Sequence, residues 1–546
     1  MQKYENRLRT FGNTFKEKEK TRLLTSVLSV LIWGMIAHGY RFCNLLLSHD
    51  SLKEFYMFGD SYYSEGTVTA WKISLGRFFE PIYDTVFRGP LALPWVAGIL
   101  SLIWLSLAMW LLTKIFDLSS RLMIFLISGF LTVNITITAT AATYVHDLDA
   151  YLFALLAAVL AVYCWKFGSR EGGDREGRDR KLGNLKQAVP GCGACVALLV
   201  MTLGIYQSMI SAFIALVLMV SILQLLDGAE AKPVVLNGLK AVGVLLAAAV
   251  LYLLCVKISC SLTNVTLGSG YNSIRNMANL ENVSIIIEIV NACKYCVREW
   301  FIYPSMWNPI VVAALNLGFI GIGAAGGFIL WLDKKVSLIS KGWIVVLVAL
   351  LPLGMNISFV LNLEDVHQLM LYAFWLIYVF VMLILRKFRG GDRAWPGNLP
   401  VKAIAVVLAL IILWGNALTA NTLYVKKDLE DEATLTVMEN VVERIEDFDG
   451  YVPGKTEVAI IGVPDVDSPD AFAPLQSITG AQSASPITQI GYYPAYFEYV
   501  LQKNVELSDF HTVLKLQKMQ EVKSMPAYPS EECMQMIDGI LVVKMQ

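Results

Sequence analysis

Long apolar stretches separated by short polar connections dominate the chain as far as residue 421. Read against a window of about 19 residues, they fall at 22–47, 91–113, 121–140, 149–167, 188–206, 207–227, 239–258, 310–332, 343–361, 369–386 and 401–421. Each approaches the roughly twenty residues with which a helix crosses a bilayer. The pattern predicts an all-α polytopic core with eleven transmembrane helices. Beyond 422 it changes: 435–448 has the period of an amphipathic helix, while 456–462 (TEVAIIG) and 538–543 (DGILVV) read as buried strands. The expected organisation is an N-terminal segment 1–21, a multispan core 22–421 with long loops 48–90 and 259–309, and a small soluble α/β domain 422–546. No internal repeat points to an inverted-repeat transporter.

Both long loops carry helical periodicity. Val68, Trp71, Leu75, Phe78 and Phe79 form one apolar stripe, with Lys72, Arg77 and Glu80 off it, predicting a helix along the membrane surface. Ile286, Ile289, Cys293, Val297 and Trp300 form a similar stripe in the second loop.

Composition supports the membrane reading. Hydrophobic residues make up 56% and charged residues only 16%, where a soluble protein carries roughly 25% charged. The net charge of -1 argues against nucleic acid as a partner. With the N-terminus in the cytoplasm, the inner connections hold 26 Lys/Arg and the outer ones 7, so the positive-inside rule puts the C-terminal domain outside. The first span, preceded by Lys16, Lys18, Lys20 and Arg22 and followed by no clear small-residue cleavage site, reads as an uncleaved anchor.

Candidate chemistry gathers on the outer side. The first loop, FYMFGDSYYSEGTVTAWKISLGRFFEPIYDTVFRGP, offers Asp60 and Glu65 as carboxylate bases and Arg77 and Arg88 as holders of a phosphate. Solvated loop charges are the plain alternative for each. ATAATYVHDLDAYLFALL adds His146, Asp147 and Asp149; Asp149 could equally satisfy backbone donors at a helix start. Tyr206 and Gln207 stand at a tight hairpin, where they could cap both helices or meet substrate. NLEDVHQ supplies Glu364, Asp365 and His367. Such acidic-plus-His connections could bind a divalent metal, but no spacing is specific for one, so no cofactor is certain. Cys293 and Cys296 form a CxxC on the apolar side of a predicted helix, which favours buried thiols or a disulfide from one of them to Cys260. GFIGIGAAGGF (318–328) lies inside a span and reads as close helix packing.

An acidic residue soon after span one is followed by ISLGRFFEPIYD (73–84), ATYVHDLDAYLFAL (142–155), LGIYQSMISAFI (203–214) and NALTANTLYVKKDLEDEATLTVMENVVERI (416–445). Together these stretches resemble the bacterial glucosyltransferase-domain membrane proteins, the group that includes serotype-converting O-antigen glucosyltransferases. The family often shows paired acids after span one; here Ser61 follows Asp60, leaving Glu65 or Asp147 as the second. The resemblance implies a GT-C type fold in the bacterial cytoplasmic membrane. It also implies transfer of a sugar from a polyprenyl-phosphate carrier to a hydroxyl of a surface glycan. Asp60 is then the expected base and Asp147 a second acid. Arg77 and Arg88 face the donor phosphate, with His146, Asp149, Tyr206, Gln207 and His367 as further substrate contacts. A lipid-linked glycan transporter or flippase would need polar residues at midplane, and the spans are nearly uncharged there. A non-catalytic assembly or sensor protein would instead make the C-terminal domain the working part.

Overall fold

A computed structural model describes residues 2–53, 67–89, 91, 93–168, 180–268, 285–361, 366–388, 395 and 400–546. Asp60, Glu65, Glu364 and Asp365 lie outside the described residues. The core helices are α1 (Gln2–Cys43), α2 (His49–Lys53), α3 (Val68–Ser74), α4 (Glu80–Phe87), α5 (Pro94–Ile115), α6 (Arg121–Thr132), α7 (Ile135–Thr143), α8 (Val145–Phe167) and α9 (Arg180–Ile205). They continue as α10 (Ile210–Leu226), α11 (Ala231–Thr263), α12 (Ile285–Phe301), α13 (Pro309–Leu332), α14 (Leu338–Met355), α15 (Ile357–Leu361), α16 (Leu376–Leu385) and α17 (Val401–Glu446).

Among the described residues, eight helices are long and apolar enough to cross a membrane, or nine if α6 and α7, bent by 43°, form one span. The bend has a local cause. Asn134 leaves the helical region, and its side chain caps α7 by accepting from Ile137 N at 3.0 Å. The remaining two of the eleven expected spans are shorter apolar helices, Gly191–Ile205 and Tyr372–Leu385. α5 packs between α1 and α8, and α8 packs on α9. Within 318–328, Gly323 and Gly326 do serve close packing, since a Cβ would stand 2.5 Å from Val381 on α16 at the first and 3.2 Å from Ile384 at the second, while Gly321 faces open space. All nine cysteines are free, so the possible bridge to Cys260 is absent and Cys296 is a buried thiol.

The last span and the amphipathic helix expected at 435–448 are one continuous helix. α17 has 46 residues and is about 70 Å long at 1.5 Å per residue, well over twice the apolar thickness of a bilayer. Its final turns place Met438, Val441, Val442 and Ile445 in the core of the C-terminal region, beside Leu47 and Leu52 from the segment after α1. The sheet there has the order β1-β3-β2, with β1 (Glu457–Ile461) parallel to β3 (Ile540–Lys544) and β2 (Met534–Ile537) antiparallel to it. Asp538 and Gly539, expected to open a strand, form the two-residue turn between β2 and β3, with φ of 52° and 81°. Both signs suit a type I′ hairpin, for which Asp-Gly is a preferred pair.

Candidate active site

The predicted surface helix of the first loop is two short helices. Thr67 caps α3 by accepting from Ala70 N at 3.2 Å; the turn closes at Gly76, whose φ of +78° suits glycine. Pro81 then sits in the first turn of α4. Val68 and Leu75 of the expected stripe are buried, and the exposed apolar face lies further along, on α4. Lys72, Glu80, Asp84 and Arg88 are buried, while Ile82, Val86 and Phe87 are 53%, 69% and 41% exposed. A helix with charge inside and apolar side chains outside suits a lipid-facing position over a polar interior.

The buried face meets the start of α8. Lys72 Nζ donates to Asp147 Oδ1 at 2.6 Å and to Asp84 Oδ2 at 3.3 Å, and lies 3.2 Å from Glu80 Oε1. Arg88 Nη2 donates to Asp84 Oδ1 at 2.5 Å. Asp149 does not cap its helix; its Oδ2 accepts from Tyr83 Oη at 2.8 Å, and Tyr83 Oη in turn accepts from Trp104 Nε1 at 2.7 Å. Asp149 Oδ1, both Glu80 oxygens, Arg77 Nε and Arg88 Nε are buried without a hydrogen bond among the described residues.

Arg77 lies where three elements converge. Its Nη1 donates to Tyr151 Oη at 2.8 Å and lies 3.9 Å from Glu80 Oε2. The guanidinium stands 5.1 Å from the Tyr206 ring centre and 5.7 Å from that of Tyr151. The two rings stack at 3.9 Å and 7°. Gln207 Nε2 donates to Leu75 O at 2.8 Å and to Tyr252 Oη at 3.0 Å, tying the end of α3 to α11. Phe79 N donates to Gly204 O at 2.9 Å, completing the attachment.

Charge explains how so many ionisable groups share a buried site. Lys72, Arg77 and Arg88 face Glu80, Asp84, Asp147 and Asp149. Burial pushes the Glu80 carboxyl well above the ordinary carboxylate range, against the opposing pull of Lys72. Among the described residues three cationic side chains thus face four acidic ones, and burial disfavours the anion of one of the four. Burial opposes the charge on Arg77 and Arg88, but Tyr151 and Glu80 around the first and Asp84 and Asp149 around the second hold both guanidinium groups above their ordinary pKa.

Seven of the ten sequence candidates therefore meet here or at its edge: Arg77, Arg88, His146, Asp147, Asp149, Tyr206 and Gln207. His146 is buried, with Nε2 3.8 Å from Asp147 Oδ2. His367 precedes the one-turn helix Gln368–Met370, which packs against α7, and its side chain makes no capping bond to that helix. Asp60 and Glu65 lie outside the described residues. The sequence reading missed Lys72, Asp84, Tyr83, Tyr151 and Trp104 as site residues. A signal for some was present: Glu80, Asp84 and Arg88 recur at intervals of four, as do Asp147 and Tyr151, so each set shares a helix face.

The acidic groups that could hold a metal among the described residues are Glu80, Asp84 and Asp147, whose ligand atoms lie within 4.8 Å of one another. The trio shares only Asp147 with the metal-binding connections expected from sequence, and Lys72 stands within it.

No curated protein and no solved structure matches the chain. The family model described as glucosyl transferase GtrII matches residues 39–385, from the end of α1 through α16. That stretch is more than half of the chain and contains the whole charged cluster, and the chain thus belongs to the GtrII family of membrane glucosyl transferases.

Proposed function

We propose that the protein transfers a hexose, glucose by the family's name, from a polyprenyl-phosphate carrier to a hydroxyl of a surface polysaccharide at the outer face of the bacterial cytoplasmic membrane. The observation that carries this reading is the pairing of Arg77 and Arg88 with buried carboxylates beneath the lipid-facing side of α4. A carrier lipid held against Ile82, Val86 and Phe87 would bring its phosphate to the depth of those guanidinium groups.

The chemistry asks little else of the protein. The acceptor oxygen forms a bond to the anomeric carbon as that carbon's bond to the phosphate oxygen breaks. The electron pair leaves with the phosphate, which goes from one negative charge to two, and the acceptor proton passes to a base. Buried guanidinium groups stabilise the charge that develops on the phosphate. Asp60 is the proposed base, with Glu65 and Asp147 as further acids. Asp149, whose Oδ1 is open, is the buried alternative.

In this reading the eleven apolar helices all cross, including the short Gly191–Ile205 and Tyr372–Leu385. The N-terminal segment 1–21 is then inside, the core is 22–421, and the α/β domain 422–546 is outside, near the acceptor. Analysis of surface polysaccharide from cells with and without the gene tests the function: loss of one sugar branch is expected. An unchanged polysaccharide, with no transfer by purified protein from a polyprenyl-phosphate sugar, would overturn it.

A further inference from the structure

Lys72 stands where a divalent cation would be expected to sit. Its ammonium contacts Asp147 at 2.6 Å, Glu80 at 3.2 Å and Asp84 at 3.3 Å, and the lysine side chain is 1% exposed. The three carboxylates come from two separate parts of the chain and converge to metal-ligand spacing. We propose that Lys72 is the resident cation of this acidic site, an ammonium in place of a divalent metal, so that sugar transfer needs no metal ion there. The inference rests on the transferase reading above.

Three observations support it. Lys72 Nζ donates to Asp147 and Asp84 and stands 3.2 Å from Glu80 Oε1, so one ammonium is in contact with all three acidic side chains. The distances of 2.6, 3.2 and 3.3 Å are those of ammonium–oxygen contacts, with the nitrogen placed among the three acidic groups. Finally, Lys72 is tethered to a helix with a satisfied N-cap, so an entering ion would have to displace an ammonium that is walled in on every side.

The substitution has a consequence for the donor. A divalent metal with open positions would take the phosphate oxygens itself. Lys72 holds Asp84, which in turn orients Arg88 at 2.5 Å. Phosphate recognition is thereby left to guanidinium groups, and Lys72 is a positioning residue.

The test is Mn²⁺ binding to the purified full-length protein in detergent, read by electron paramagnetic resonance, together with transfer in the presence of EDTA. The wild type is expected to show no Mn²⁺ site that Asp84→Asn removes, and EDTA should leave transfer unchanged. Folded Lys72→Ala should gain a site about tenfold or more tighter than any in the wild type, and Lys72→Ala/Asp84→Asn should lose it. A wild-type Mn²⁺ site abolished by Asp84→Asn, inhibition by EDTA, or a folded Lys72→Ala that gains no site would each overturn the proposal. If Lys72→Ala does not fold, the wild type and Asp84→Asn still decide. Metal binding is read without transfer, so a protein that moves no sugar from the carrier would fail the functional reading alone.

Discussion

A Cβ on Gly480 would stand 2.0 Å from Thr143 Oγ1, so the C-terminal region meets the end of α7 at a point that admits only glycine. Hydrogen bonds fasten the loop, among them Thr143 Oγ1 to Thr479 O at 3.2 Å, Gln368 Nε2 to Ser477 O at 3.2 Å, Thr479 N to Gln368 Oε1 at 3.1 Å, Lys426 Nζ to Ala481 O at 3.1 Å and Lys427 Nζ to Gly480 O at 3.2 Å. Thr143 ends α7, and α8 with Asp147 begins two residues later. A loop of the C-terminal region is thus docked beside the turn that presents the charged cluster.

Gly480→Val should undock that loop. Its φ of +87° is already costly for a side chain, and the clash with Thr143 adds to it, together about 3 kcal/mol. The expected outcome is faster proteolysis between 463 and 496 and reduced transfer, with the core still inserted. This variant is more discriminating than deleting 450–546, which would also bare Met438, Val441, Val442 and Ile445 on α17. Normal transfer with a demonstrably released loop would remove any role of the region near the acceptor.

Arg77→Lys keeps the charge but loses the planar fork and the stack on Tyr206 and Tyr151. Transfer should fall about 10- to 100-fold, and Tyr206→Leu should lose part of the same energy. A double-mutant cycle on transfer rates checks the coupling; strictly additive losses would show that the stack does not position Arg77.

The span pattern made the core legible because bilayer-length apolar runs are a strong one-dimensional signal. Gathering Asp147 with Arg77 and Arg88 also followed from placing loops on one side. What stayed hidden was the outward apolar face of α4. An amphipathic stripe has a direction only relative to its solvent, and Ile82, Val86 and Phe87 can face outward because lipid receives them. Lys72 was read as a polar edge for the same reason. The Asp538-Gly539 turn was readable from its dipeptide and was missed because the run IDGILVV is apolar on both sides.

Reporter fusions at Gly173 and after Gln546 should report opposite sides, cytoplasmic and outer, as the 26 to 7 distribution of Lys/Arg requires. The same side for both would mean an even number of crossings. One of the two short helices, Gly191–Ile205 or Tyr372–Leu385, would then be the segment that fails to span.

The identity of the base can be separated from structural roles by reading stability beside turnover. Asp147 is held by Lys72 at 2.6 Å with both groups buried, so Asp147→Asn removes one partner of a buried pair and should cost about 3 kcal/mol or more of stability along with activity. A base must keep an oxygen open for the acceptor proton, whereas Asp147 Oδ1 accepts from Lys72 and Oδ2 from Tyr151 Oη at 3.4 Å. Asp60 lies in the sequence between α2 and α3, beside Gly59, and a carboxylate is a competent acceptor for a hydroxyl proton. Asp60→Asn is therefore expected to lower turnover roughly 100-fold or more while carrier binding and thermal stability persist, and Glu65→Gln to have a smaller effect. Asp149→Asn supplies the contrast, because Oδ1 of that residue is open while Oδ2 accepts from Tyr83. Near-normal turnover in Asp60→Asn, with a collapse in Asp149→Asn at unchanged stability, would move the base from the loop to the start of α8.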